Sequence, residues 1–261
     1  MAGPDNLVSG NTMDGVFVVQ TTGAQVKGNL IGVAADGVTP LPNGLDGVRV
    51  VNASDNTIGD PTGVDVNTIA YNGGFGVSVE EEATGNWITR NSIHSNASLG
   101  IGLDIDGVTA NDDGDGDDGP NDLQNFPVLT DATFKSGTIQ IGGTLNSAAN
   151  TEYGLEFFAN DTCDASGHGE GRTFVGASSV NTNGLGNGVF SSTLPSAVLD
   201  GSLITAVAWA DSGGHTSEFS ACISMVPEPG SVAMLVTAMT VVACLKGMTG
   251  FERRGRSKSG S

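Results

Sequence analysis

Through the first hundred residues, apolar and polar side chains alternate in short bursts with no helical stretch between them. Four phrases open on glycine and continue as alternating aliphatics: GVFVV from Gly15, GVRVV from Gly47, GVSVE from Gly76 and GIGLD from Gly100. Each predicts a short strand. A second phrase, Asn followed by any residue and then an aliphatic, begins at Asn29, Asn56, Asn67, Asn86 and Asn91 and predicts a turn running into another strand. The four glycines are 32, 29 and 24 residues apart, within the period range of a solenoid. Strands without helices, punctuated by Asn and Gly, point to a parallel β-helix with one coil per repeat, equivalent positions stacking about 4.8 Å apart. Leucine-rich repeats would need more leucine and a helix in each unit. Val16, Val18, Val48, Val50, Val77, Val79, Ile101 and Leu103 are the expected bore, and the Asn amides are expected to bond along the stack. The wider spacings place protruding loops at residues 34–44 and 61–65.

The texture then changes. From Thr138 onward, runs such as TIQIGGTL, YGLEFFA from Tyr153, RTFVGASSV from Arg172, GVFSSTL from Gly188, LITAVAWA from Leu203 and EFSACI from Glu218 recur without a repeat unit. They predict an antiparallel β-sandwich of immunoglobulin-like type, with Ile139, Ile141, Phe157, Phe190, Val207 and Trp209 as its core. At the end of the chain, residues 231–245 carry no charge, and extension to Phe251 makes a 21-residue helix about 31 Å long, enough for a bilayer if Lys246 reaches an interface. The fold class is therefore all-β: a partial right-handed parallel β-helix, then the sandwich, with one C-terminal transmembrane helix. The divisions fall at 1–110, an Asp/Gly-rich loop at 111–122, the sandwich at 123–225, and a terminal segment at 226–261 with its span at 231–251. A short buried helix with a frayed basic tail is the competing reading of that last segment.

Charge sharpens the boundary. Residues 1–225 hold 27 acidic and only 5 basic side chains, whereas 226–261 hold 2 acidic and 5 basic ones. So acidic a body excludes a nucleic-acid groove. The positive-inside rule puts Arg253, Arg254, Arg256 and Lys258 in the cytoplasm and everything before Val226 outside. The stretch from Met1 to Gly10 has neither the basic start nor the apolar core of an export signal, so further coils and a signal are expected upstream. The 40 glycines among 261 residues suit tight turns rather than long helices.

Candidate chemistry is sparse. Residues 111–122 hold six Asp in twelve positions, and Asn111, Asp113, Asp115, Gly116 and Asp122 follow the oxygen-ligand and glycine spacing of a calcium loop. An ordinary solvated linker explains the same residues, because no helices flank them and the last ligand is Asp rather than Glu. On the exported side, Cys163 and Cys222 read as a disulfide, with zinc involving His168 as the weaker rival. Asp104 and Asp106, with Arg90 and His94 one coil earlier, are the candidates for polysaccharide cleavage. Each has a simpler reading as a capping or solvated residue, as do His215 in a turn and Glu80, Glu81 and Glu82 at a corner. The chain is thus expected to be non-catalytic; the other reading is a carbohydrate-active β-helix whose catalytic coils precede Met1.

Two resemblances extend this reading. Val226, Pro227, Glu228 and Pro229, followed by the apolar run and the Arg-rich end, resemble the PEP-CTERM sorting signal of bacterial surface proteins. That resemblance implies export, transient anchoring in the membrane, and processing near those four residues by an exosortase-type enzyme, with delivery to the cell envelope or extracellular matrix. The first hundred or so residues resemble the right-handed parallel β-helix repeat family, and the stretch with FFAN, CDASGHGEG and SEFSAC looks like a domain that often follows such repeats in bacterial surface proteins. Together they imply a structural or adhesive protein, with extracellular polysaccharide as its expected partner and no nucleic acid.

Overall fold

The structure is a computed structural model that describes residues 6–104, 107–195, 201–210 and 214–227. Glu228, Pro229, the expected span at 231–251 and the basic tail lie outside the described residues. Among the described residues the fold is all-β, and no helix is long and apolar enough to cross a membrane.

The N-terminal part winds into a parallel β-helix. Its first coil carries β1 (Asn6–Val8), β2 (Val16–Val19) and β3 (Gln25–Val26). The second carries β4 (Asn29–Ile31), β5 (Val48–Val51) and β6 (Thr57–Gly59), and the third β7 (Thr68–Ala70), β8 (Val77–Glu80) and β9 (Trp87–Thr89). The fourth is incomplete, with β10 (Ser92–His94) and β11 (Ile101–Leu103). Stacking produces three parallel sheets, β1-β4-β7-β10, β2-β5-β8-β11 and β3-β6-β9. The register is strict: Val16, Val48, Val77 and Ile101 lie in one column and Val18, Val50, Val79 and Leu103 in the next. All eight fill the bore, as the alternation predicts. Glu80 departs from expectation. It is buried rather than solvated, and both its oxygens accept from Arg49, at 3.0 and 2.7 Å.

Three asparagine ladders and one glycine column make the stacking specific. Along the first, Asn29 Nδ2 donates to Asn67 Oδ1 at 2.8 Å and Asn67 Nδ2 to Asn91 Oδ1 at 2.9 Å. A second ladder runs Asn11, Asn43, Asn72, Asn96, and a third joins Asn56 to Asn86. At the middle rungs Asn43 and Asn67 the amide is fully used: the oxygen also accepts the previous rung's backbone N–H, as Asn67 does for Asn29, while the nitrogen also reaches a carbonyl, as Asn67 does for Val26. The glycine column is steric. A Cβ on Gly15, Gly47 or Gly76 would lie 2.5–2.6 Å from the carbonyl oxygen of the glycine one coil on.

The C-terminal part is a sandwich built of β12 (Val128–Lys135), β13 (Thr138–Asn146), β14 (Glu152–Asn160), β15 (Thr173–Asn181), β16 (Asn187–Pro195), β17 (Leu203–Ala210), β18 (Ile223–Ser224) and β19 (Val226–Pro227). The sheets are β16-β13-β12-β19 and β15-β14-β17-β18. Ile139, Ile141, Phe157 and Phe190 share the core between them, but Val207 packs in the solenoid's core and Trp209 stacks beside Trp87, ring centroids 6.1 Å apart. The reason is that β17 is buried on both faces: Ile204, Ala206 and Ala208 face the sandwich, while Val207 faces the β-helix. The structure joins Cys163 to Cys222, Cα–Cα 6.2 Å and 59 positions apart. In the chain-entropy model a closed loop of that length contributes about 4 kcal/mol.

Replacing Gly47 with Ala places a methyl 2.4 Å from Ile69 Cγ2 and 2.6 Å from Gly76 O. The variant is expected to lose about 1–3 kcal/mol in equilibrium denaturation; an unchanged midpoint would mean that the coils tolerate a wider spacing.

Candidate functional site

A parallel solenoid ends in strand edges whose N–H and C=O groups have no further coil to pair with. Here the sandwich supplies the partners. At β9, Glu156 Oε2 accepts from Arg90 N at 2.9 Å, Oε1 accepts from Thr89 Oγ1 at 2.6 Å, and Thr216 Oγ1 accepts from Ile88 N at 2.9 Å. At β10, Ile93 and Gly171 exchange backbone bonds of 2.9 Å, and Glu170 accepts from Ser95 N at 2.6 Å and Asn96 N at 3.0 Å. At β11, Glu218 accepts from Leu103 N and Thr109 N, both at 3.0 Å. Glu170, and Asn121 from the preceding turn, occupy the place of a further Asn rung. Within the ladders, Asn72 N donates to Asn96 Oδ1 and Asn56 N to Asn86 Oδ1. At the last rung of these two ladders, Asn96 N meets Glu170 Oε1 instead, and Asn86 N meets Asn121 Oδ1 from the turn at Pro120–Leu123.

Phe158 and Phe219, edge to face at 5.4 Å, join Ile88, Ile93 and Ile101 in one core across this junction. Burial is severe for the three carboxyls: Glu156 and Glu218 are 2% exposed and Glu170 8%. Desolvation raises all three above the ordinary carboxyl range, and Glu218 is pushed up to about 7 against the downward pull of its N–H donors.

The Asp-rich segment is folded rather than loose. Asn111 exchanges two hydrogen bonds with the Phe126 backbone, and Asn125 bonds Asp112 and the Asn146 carbonyl. Of the expected calcium ligands, Asn111 is thus committed to backbone and Asp122 lies 3.1 Å from His215, outside any cluster with Asp113. The structure brings together a different trio, Asp112, Asp115 and Asp117, with one oxygen of each within 4.8 Å of the others. Asp115 already accepts from Asn125 N, Gln124 Nε2 and Ser147 Oγ. Asp117 Oδ1 is enclosed and has no hydrogen-bond partner among the described residues. Burial raises both carboxyls, helped by their acidic neighbours.

The residues considered for cleavage chemistry have other partners. The guanidinium of Arg90 lies over the Phe174 ring at 4.5 Å and 4.0 Å from Glu156, and His94 packs edge-on to Tyr71 with its ring pushed down to about 4 by burial and by Arg172. Asp104 follows the end of β11, and Asp106 lies outside the described residues. In the expected sorting motif, Val226 and Pro227 form β19, paired in parallel with Thr133 and Phe134 of β12.

The geometry defines a class: a parallel β-helix whose C-terminal end is closed by a β-sandwich. A family model described as periplasmic copper-binding protein (NosD) matches residues 4–101, which are the solenoid coils. No curated protein matches the chain.

Glu218 generates a pH signature. Its pKa in the folded state, about 7, exceeds the ordinary 4.5, so its stability contribution is fully present below 4.5 and declines as the pH rises through 7. Relative to Glu218→Gln, which cannot ionise, the native chain is expected to lose on the order of 3 kcal/mol across that window. Denaturation series of both proteins from pH 4 to 8 check this; parallel curves would mean the carboxyl titrates in the usual range.

Proposed function

We propose that the chain is a non-catalytic exported protein of the cell surface or extracellular matrix, with the β-helix as a rigid structural or adhesive element and the sandwich as its end piece. The observation that carries this reading is the bond between Cys163 and Cys222, which belongs in an oxidising compartment. The match to a family described as periplasmic supports export. The acidic body, with 27 carboxylates against 5 cations up to residue 225, suits solubility outside the cell. Sorting would run through Val226, Pro227, Glu228 and Pro229 and the following apolar segment, held in the membrane until an exosortase-type enzyme processes it. Extracellular polysaccharide is the partner this role implies.

Copper does not come over with the family description. Copper favours imidazole, thiolate and thioether donors. In residues 4–101 these are Met13 on the first coil, largely exposed, and His94 on the last, buried against Tyr71. The oxygen-only trio Asp112, Asp115 and Asp117 instead suits calcium, and the unpartnered Asp117 Oδ1 favours it as the ion's place over the set expected from spacing.

Fractionation of the full chain is expected to recover it from the envelope with Cys163 and Cys222 unreactive to thiol reagents, and removal of residues 226–261 to release it; a soluble cytosolic product with both thiols free would overturn the proposal. Incubation with pectin or alginate is expected to yield no new reducing ends. Calcium at a hundredfold excess over its Kd is expected to stabilise the chain by on the order of 2–3 kcal/mol, and the double variant Asp112→Asn, Asp115→Asn to lose that gain. An equal gain in both proteins would place calcium elsewhere.

A further inference from the structure

Between the loop leaving β6 and the first residues of β15 lies a pocket of about 300 Å³ lined by Gly63, Arg90, Ser92, Arg172, Thr173 and Phe174. It draws on both domains, and it gathers two of the five basic side chains that precede Val226. Such a concentration of cations is notable on a body with a net charge of −22. Arg90 is already oriented, its guanidinium held over Phe174 at 4.5 Å and beside the buried Glu156 at 4.0 Å, so little side-chain freedom remains to be lost on binding. At Gly63 a Cβ would stand 3.2 Å from Arg90 Nη1, and glycine leaves that approach open. Arg172 is free to exchange partners. It donates to Asp161 Oδ2 at 2.6 Å, but the two side chains are 45% and 76% exposed, and an ion pair that open to water is worth about 1 kcal/mol or less.

We propose that this pocket binds a small hydroxylated carboxylate, of the size of a single uronic acid ring. Its carboxylate takes the Arg172 fork in place of Asp161, and Arg90 supplies the second positive group. A carboxylate meets the guanidinium fork in two parallel hydrogen bonds that a neutral sugar has no charge to make, and inorganic phosphate, which can make them, lacks the ring that would meet Ser92, Thr173 and Phe174 in the rest of the lining. Ser92 and Thr173 belong to the same lining; the Ser92 hydroxyl donates to the Arg172 carbonyl at 2.7 Å, so its oxygen is left to accept from a ring hydroxyl of the ligand. Asp161 then acts as a tethered competitor that keeps the site closed to weaker anions. The inference stands on the pocket alone and is independent of compartment, anchoring or adhesion.

The test titrates glucuronate, glucose and inorganic phosphate into the full disulfide-bonded chain at low ionic strength, followed by calorimetry and by NMR shifts of residues around the pocket. Glucuronate is expected to bind and glucose not to. Losing one charge-assisted contact in Arg172→Gln is expected to weaken glucuronate about tenfold. Removing the competitor in Asp161→Asn is expected to tighten it several-fold, while Glu82→Gln, which deletes the same charge outside the lining, leaves it unchanged. Should Arg172→Gln fail to fold, Arg172→Lys keeps the charge without the planar fork and is expected to weaken binding as well. The proposal is overturned by any of four results: no glucuronate binding at tens of millimolar, equal binding of phosphate, undiminished binding in the folded Arg172 variant, or no greater gain in Asp161→Asn than in Glu82→Gln.

Discussion

Everything in this molecule depends on how the last coil of the solenoid is sealed. Hydrogen bonding and apolar stacking propagate a β-helix from coil to coil, but neither tells it how to stop, and an unsealed end is a template for pairing with other chains. The sandwich and the turn leading into it solve this by imitation. Glu170 and Asn121 place oxygens where the next Asn rung would have put them, Glu156 and Glu218 take N–H groups at β9 and β11, and Phe158 and Phe219 close the bore. The cost is three carboxyls carried into low dielectric, of which Glu156 has the Arg90 guanidinium 4.0 Å away. Loss of one of them would leave buried backbone donors without acceptors, which makes the junction one cooperative unit rather than two domains in contact.

The same demand shapes the sandwich. A sheet exposed on one face would alternate polar and apolar along its strands, but β14 and β17 are buried almost continuously because one face meets the second sheet and the other meets the coils. Tyr153, Leu155 and Phe157 belong to the sandwich core, whereas Glu156 and Phe158, one step out of phase, belong to the junction. The Asn and glycine columns impose a comparable discipline on the solenoid, the first by bonding amide to amide from coil to coil, the second by allowing backbones to approach where a methyl would collide.

Two places in which sequence and structure part company have one cause. Val207 and Trp209 have the alternation of core residues, and they are buried or half-buried, but against the neighbouring domain; periodicity reports which face is apolar and is silent about what lies opposite. In the Asp-rich segment, spacing suggests Asn111, Asp113, Asp115 and Asp122, yet the fold spends Asn111 on the Phe126 backbone and draws Asp112, Asp115 and Asp117 together. A ligand set read from spacing presumes a particular loop path, and this path is set by Asn125, Gln124 and Ser147, which no spacing rule includes. A usable signal did exist for the junction: Glu156 is a lone charge inside an apolar run, and a buried charge needs a partner. β12, whose polar residues Thr130, Asp131 and Thr133 interrupt its apolar ones, carried no comparable signal.

What the amino-acid order determined on its own is whatever depends on local repetition: the strands, their turns, the inward aliphatics, and the glycine and asparagine columns. These are legible because each coil meets a near copy of itself, so one repeat already specifies its neighbour's chemistry. The tertiary structure alone decided which carboxyls close the solenoid, which aspartates converge, and that Arg90 and Arg172 share a pocket. The closing carboxyls lie up to 115 residues from the N–H groups they accept from, as Glu218 does from Leu103, and only the docking of two unlike domains brings them within hydrogen-bonding reach.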